Sequence, residues 1–187
     1  MNKQPEITDK TRQAFVETFC DLYRDRPIER INVKELASKS GYSRATFYNY
    51  FRDVYELREY IENDLIRTLQ ERIAFTYGSD GSMDGFIQAF AELVTEKEEY
   101  ISVFMSSSNS PLFTERLKQN MLPVLIELFH IQHDDLRARY ALEFYINGIV
   151  PTLGSWLRNG QEIKVEELAV LIKGILKEGI LAQVKGN

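Results

Sequence analysis

The sequence holds a single cysteine, Cys20, among 187 residues. One thiol cannot close an intrachain disulfide, so no disulfide framework holds the fold, and the composition suits a reducing compartment. Long apolar runs are missing too. None reaches the roughly eighteen residues of a membrane span, and the N-terminal MNKQPEITDKTR lacks the hydrophobic segment of a signal peptide. A soluble, cytoplasmic protein with no membrane association is expected. No nucleophile stands beside a base, no glycine-rich loop is built to hold phosphate, and no carboxylate pair has a reason for a shifted pKa. Catalytic residues and cofactors are therefore not expected, nor is an enzyme. The two histidines, His130 and His133, lie beside Asp134 and Asp135. Two histidines three residues apart lack a fixed third metal ligand, so helix-end capping and solvation explain this cluster better than a metal. No β pattern, internal repeat or low-complexity tract is present.

What the chain does have is helical periodicity. Its hydrophobic content of 44% and charged content of 27% are ordinary for a folded protein. Ile7, Thr11, Ala14, Phe15, Thr18, Phe19 and Leu22 recur at three- and four-residue steps, predicting a helix over 7–24 that Pro27 ends. Asn32, with Glu35 three residues on, caps a short helix over 33–39 that stops at Gly41. Ser43 then opens a helix over 44–51. Leu57, Ile61, Leu65, Leu69 and Ile73 step by four through a helix over 54–77, and the loop expected over Gly78–Ser82 is the best domain boundary by composition. Further helices are predicted from Met83, over 98–107 and over 112–130, the last with a kink at Pro123. The final two, 135–158 and 165–184, carry apolar residues on more faces than one contact needs, and a second copy of the chain is the simplest extra partner. Gly148 and Gly154 would allow close approach there. The architecture is all-α.

The net charge of −5 argues against nucleic acid only on average. Residues 1–60 carry eleven Lys and Arg against ten Asp and Glu, and no acid lies between Leu36 and Arg52. Local charge decides whether a surface can approach phosphates. On a helix from Ser43, Phe47, Tyr50 and Phe51 share the inner side, while Arg44, Ala45, Tyr48, Asn49 and Arg52 spread over the outer side. Two cations, a phenol, an amide and a methyl group suit phosphate oxygens and base edges. With Leu36, Ala37 and the turn at Gly41, this is a helix-turn-helix pattern. A pair of short core helices would share the turn, but would not place Tyr48 outward.

The run from Ile31 to Leu57, INVKELASKSGYSRATFYNYFRDVYEL, resembles the DNA-binding domain of Tet-repressor-like transcriptional regulators, and the helix bearing Ala14, Phe15 and Phe19 fits that family's first helix. The resemblance implies an N-terminal three-helix helix-turn-helix domain over 1–53 and a larger helical effector-binding and dimerisation domain over 54–187. It implies a homodimer through the last two helices, on a palindromic double-stranded DNA operator, and a repressor released by a small-molecule effector. Ser43, Arg44 and Ala45 then open the recognition helix. Thr46 and Tyr48 match positions that touch phosphate, Tyr48 also reaching a base, and Asn49 and Tyr50 match further backbone contacts. Asn32 and Lys34 would hold the flanking phosphate strand. The resemblance departs at Val54, where the family usually has a phosphate-anchoring lysine. Arg52 is the available substitute, with Asp53 beside it, so fewer phosphate contacts are expected.

For the effector, Phe86, Phe90, Tyr100, Phe104, Met121, Phe144 and Tyr145 are the candidates to line an apolar pocket, against the plainer reading that each fills the core. Residues 144–160, FYINGIVPTLGSWLRNG, resemble the C-terminal region of a subgroup common in Gram-positive bacteria, some of whose members answer to protein partners. A Tet-like protein-interaction module with weak or no DNA binding is the alternative.

Overall fold

Helix α1 (Pro5–Asp25) forms on its apolar stripe, burying Phe15, Phe19 and Leu22. Pro27 cannot continue a helix and adopts extended backbone, and a single 3-10 turn over Ile28–Arg30 then tucks Ile28 and Ile31 inward. These elements belong to a computed structural model that describes residues 5–80, 83–106, 110–132 and 134–178. Helices α2 (Val33–Lys39), α3 (Arg44–Tyr48) and α4 (Val54–Asp80) follow. Beyond them come α5 (Met83–Glu96), α6 (Glu98–Ser106), α7 (Ser110–Leu128), α8 (Leu136–Arg158) and α9 (Val165–Glu178). No strand occurs among the described residues. None of the described helices is long and apolar enough to cross a membrane.

The chain divides into two compact units inside α4, one ending at Asp64 and the other beginning at Leu65. Gly78 to Asp80 continue α4 instead of forming the loop that their composition predicts, and residues 81–82 lie outside the described ones. In the first unit Phe15 is the centre of the core. Its ring meets Phe47 edge-on at 5.3 Å, Tyr42 at 5.4 Å and Tyr50 at 6.0 Å, and Phe47 also packs on Phe51 at 5.7 Å. Phe15, Phe19 and Phe47 are wholly buried. Each such ring contributes roughly 2–3 kcal/mol of burial, which is what anchors the short α3.

In the second unit the four-residue row of α4 continues inward through Leu65, Leu69 and Ile73. Arg72 of α4 hydrogen-bonds Glu96 of α5 and lies 3.9 Å from Glu92. Helix α8 packs against α6 and α7, and α9 against α5. Pro123 lies within α7, which runs on to Leu128. Trp156 Nε1 donates to the carbonyl of Ile163 at 2.8 Å, tying the loop between α8 and α9 back onto α8.

Gly154 is not on the outer face of α8 with Gly148. A Cβ on it would lie 3.7 Å from the Met105 carbonyl of α6 and 3.1 Å from Nη1 of Arg158. Its smallness lets the Arg158 guanidinium reach that carbonyl, one of the unsatisfied acceptors at the C-terminal end of α6, at 3.1 Å. Gly148, by contrast, has nothing within 4 Å of such a Cβ. The outer face of α8 also shows Tyr140 and Phe144, the latter 74% exposed, and α9 shows Val170 at 68%. The inner face of α8, with Leu142, Ile146, Val150, Leu153 and Trp156, is buried. The helix is thus apolar on two sides, one of them uncovered in a single chain.

Candidate nucleic-acid interface

The turn between α2 and α3 is held by backbone hydrogen bonds, by caps and by the Tyr42 ring against Phe15. The Asn32 side chain accepts from the Glu35 N–H at 2.9 Å, starting α2. At its end Gly41 takes φ +79°, where a side chain would be strained. Tyr42 N–H then reaches the Ala37 carbonyl at 2.9 Å and Gly41 N–H that of Ser38 at 3.3 Å, satisfying acceptors that α2 leaves open. Ser43 Oγ accepts from Thr46 N–H at 3.0 Å, and its hydroxyl lies 2.9 Å from that of Thr46. One of the two hydroxyls donates to the other, so the pair keeps one O–H to offer outward.

Helix α3 is shorter than the 44–51 span that its periodicity predicts. After Tyr48 the chain tightens, with Asn49 N–H on Thr46 O at 3.2 Å and Tyr50 N–H on Phe47 O at 2.9 Å, and Phe51 drops into the core. Arg44, Ala45, Tyr48 and Asn49 are exposed, as are Asn32 and Lys34. Among the described residues neither Arg44 nor Lys34 has an ion-pair partner, so both charges are available. Lys39 is not equally free. It lies 3.5 Å from Glu35, which also receives Arg26 Nη2 at 2.6 Å. The hydrogen bond from Arg26, helped by Lys39, holds the Glu35 carboxyl below its ordinary range.

Tyr50 is half-buried and stands apart from the outer face. The guanidinium of Arg12 lies over its ring at 5.8 Å and over that of Tyr60 at 5.6 Å. No pattern in the sequence points to Arg12, because the contact joins α1 to the turn after α3 and to α4.

The start of α4 explains Val54. Asp53 caps the helix, accepting from Glu56 N–H at 2.8 Å, and the Glu56 carboxylate accepts in return from Arg52 N–H. That cap bond is the main cause holding the Asp53 carboxyl below its usual range, with Arg52 adding to it. Val54 is buried, and Arg52, though largely exposed, lies 3.5 Å from Asp53. Carboxylates therefore occupy these backbone donors and soften the Arg52 cation.

Of the seven effector candidates, five have side chains among the described residues. Phe144 and Tyr145 line a groove of about 180 Å³ between α8 and α9, with Gly148, Leu168 and Leu171. Phe104 is buried against Phe113 at 5.4 Å, Met121 is buried in α7, and Tyr100 is half-buried beside the Lys97 ammonium. The side chains of Phe86 and Phe90 lie outside the described residues. Of the histidine cluster, His130 takes φ +52° at the end of α7 and Asp135 caps α8 through Ala138 N–H at 3.0 Å, while His133 lies outside the described residues.

Solved structures share this fold. The fatty acid degradation regulator FadR from Bacillus halodurans aligns with a TM-score of 0.73 at 13% identity, over 96% of this chain and 98% of that one. NalD, the secondary repressor of the MexAB-OprM multidrug efflux pump in Pseudomonas aeruginosa, aligns at 0.66 and 19%, over 91% and 96%. A tetR-family transcriptional regulator from Streptomyces coelicolor aligns at 0.62 and 19%, over 88% and 77%. No curated protein sequence matches the chain. Residues 81–178, just over half the chain, match the TetR-type family described as a transcriptional regulator C-terminal region. With its all-helical architecture and N-terminal helix-turn-helix, the chain belongs to the TetR family of transcriptional regulators.

Proposed function

We propose that the protein is a homodimeric, cytoplasmic, sequence-specific DNA-binding regulator that represses transcription until a small-molecule effector releases it. The observation that carries this reading is the outer face of α3. Arg44, Ala45, Tyr48 and Asn49 are exposed together on a helix whose position is set by two caps and a buried Phe47, and the Arg44 charge has no partner among the described residues. Such a face suits major-groove edges, and its flanks, Lys34, the Ser43–Thr46 hydroxyl pair, Tyr50 and Arg52, suit phosphates. A two-fold dimer would present the face twice, which requires a palindromic operator. The apolar outer face of α8, continued by Val170 and Leu171 of α9, supports self-association there.

The test is selection of DNA from a random-sequence pool by the purified protein, followed by measured affinities for the recovered duplex. A palindrome with two half-sites is expected, and Arg44→Ala should lose roughly 1–3 kcal/mol on it while losing much less on scrambled DNA. If Arg44→Ala and Tyr48→Ala bind the selected duplex as well as wild type, α3 is not the reading element. One observation favours a second reading, a protein-interaction module with weak or no DNA binding: the carboxylates of Asp53 and Glu56 at the start of α4. That reading predicts that no duplex is retained even at low salt.

A further inference from the structure

We propose that Arg12 is a positioning residue for DNA recognition, its guanidinium holding the turn that leaves α3 against both α1 and α4 through the rings of Tyr50 and Tyr60. The inference rests on the reading of the first unit as a DNA-binding head. Helix α3 has five residues, too few to hold a direction by its own hydrogen bonds. The Ser43 cap fixes where it begins, and the wholly buried Phe47 fixes its middle. Its exit is held by the buried Phe51 and by the ring of Tyr50. The Tyr50 ring is only half-buried, with Phe15 at 6.0 Å and Phe51 at 6.4 Å.

Arg12 adds a third contact of a different kind. Its guanidinium carbon lies 5.8 Å from the centroid of Tyr50 and 5.6 Å from that of Tyr60, within the range of cation–π attraction for both. The edge of the guanidinium is engaged separately, Nη1 donating to Asp9 Oδ1 at 3.2 Å. The side chain is 33% exposed. A planar, weakly hydrated cation can meet two rings at once, whereas the compact ammonium of lysine on a flexible stem cannot hold both. Arg44, Tyr48 and Asn49 lie within two turns of Tyr50, so loosening the exit alters the angle at which they meet base edges. Phosphate attraction depends on charge and tolerates that change, while base readout depends on direction and does not.

Arg12→Lys separates these effects because it keeps the charge and removes the planar contact. The measurements are affinities for the duplex that wild type selects from a random pool and for a scrambled duplex of the same composition, across a series of salt concentrations. Arg12→Lys is expected to bind the selected duplex about tenfold more weakly, with scrambled-duplex affinity and salt slope unchanged. The ratio of the two affinities is the deciding readout, because a lower folded fraction scales both equally. Tyr60→Leu should lower the ratio similarly and Tyr60→Phe should preserve it. The double variant Arg12→Lys, Tyr60→Leu should lose less than the sum of the two. If Arg12→Lys matches wild type while Arg12→Gln weakens both duplexes and flattens the salt slope by about one unit, Arg12 is a phosphate contact and the positioning role is wrong. Unchanged binding in both Arg12 variants also overturns it. A wild-type protein that retains no duplex overturns the DNA-binding reading, and this inference with it.

Discussion

Asp53 acts in two opposing ways. It caps α4 by accepting the Glu56 N–H, which favours folding, and it places a negative charge 3.5 Å from the Arg52 guanidinium. Asparagine caps a helix about as well as aspartate, so Asp53→Asn separates the effects. The cap is kept but the favourable charge is lost, so a modest loss of stability at neutral pH is expected, whereas affinity for the selected duplex should rise several-fold with a steeper salt dependence as Arg52 is freed. An unchanged salt slope would show that Arg52 does not approach phosphate. His130 poses a simpler question. It occupies the left-handed position that closes α7, with its N–H on the Glu127 carbonyl at 3.1 Å and Ile131 N–H on Ile126 O at 3.0 Å. Glycine fits this geometry without a Cβ penalty, and glycines do this work after α2 and α8. Relief of the strain exceeds the added freedom of the unfolded chain, so His130→Gly should raise stability by about 0.5–1 kcal/mol in urea unfolding.

Among the elements, helices with a long apolar row were legible from spacing alone. The row Leu57, Ile61, Leu65, Leu69 and Ile73 is buried throughout, and α2 begins and ends on the residues that its caps indicate. Helix α3 was legible in place but not in length, because i→i+3 closure after Tyr48 depends on Phe51 finding the core, a non-local event. Pairings between elements left no local trace either, as with Arg26 and Glu35, Arg72 and Glu96, or Arg12 and its two rings. The two carboxylate pairs carry a pH dependence of definite sign. Glu35 and Glu96 are held below their ordinary value of 4.5, chiefly by hydrogen bonds from Arg26 and Arg72. A depressed carboxyl stabilises the fold fully above its unfolded value and loses that contribution as pH falls through the folded one. The thermal midpoint of Glu35→Gln should therefore lie below wild type at neutral pH, and the gap should narrow steadily as pH falls below about 4.5. A gap independent of pH would mean that the glutamate contributes by packing and not by charge.

For the whole molecule, the amphipathic pattern of α8 indicated two apolar faces without saying which glycine served which. Gly154 lies against Met105 on the inner side, and Gly148 is open on the outer side beside Phe144. Sequence spacing could not separate them, because only the packed neighbour α6 distinguishes the faces. The outer face is where the proposed dimer is most directly tested. An isologous interface contains every residue twice, so one substitution acts at two places. Burying a phenylalanine that is exposed in the single chain contributes roughly 2–3 kcal/mol, and Phe144→Glu both removes that gain and places a charge opposite its own copy. Weakening of the dimer by about a thousandfold or more is expected. Light scattering at micromolar concentration should then give half the wild-type mass. Because Phe144 is 74% exposed in one chain, the helical content of the variant should remain that of wild type. Selected-duplex affinity should fall toward that of a lone half-site, while scrambled-duplex affinity per chain stays nearly constant. A Phe144→Glu protein with wild-type mass would move the interface away from this face of α8, and a monomeric wild type would remove the two-fold symmetry on which the palindrome depends.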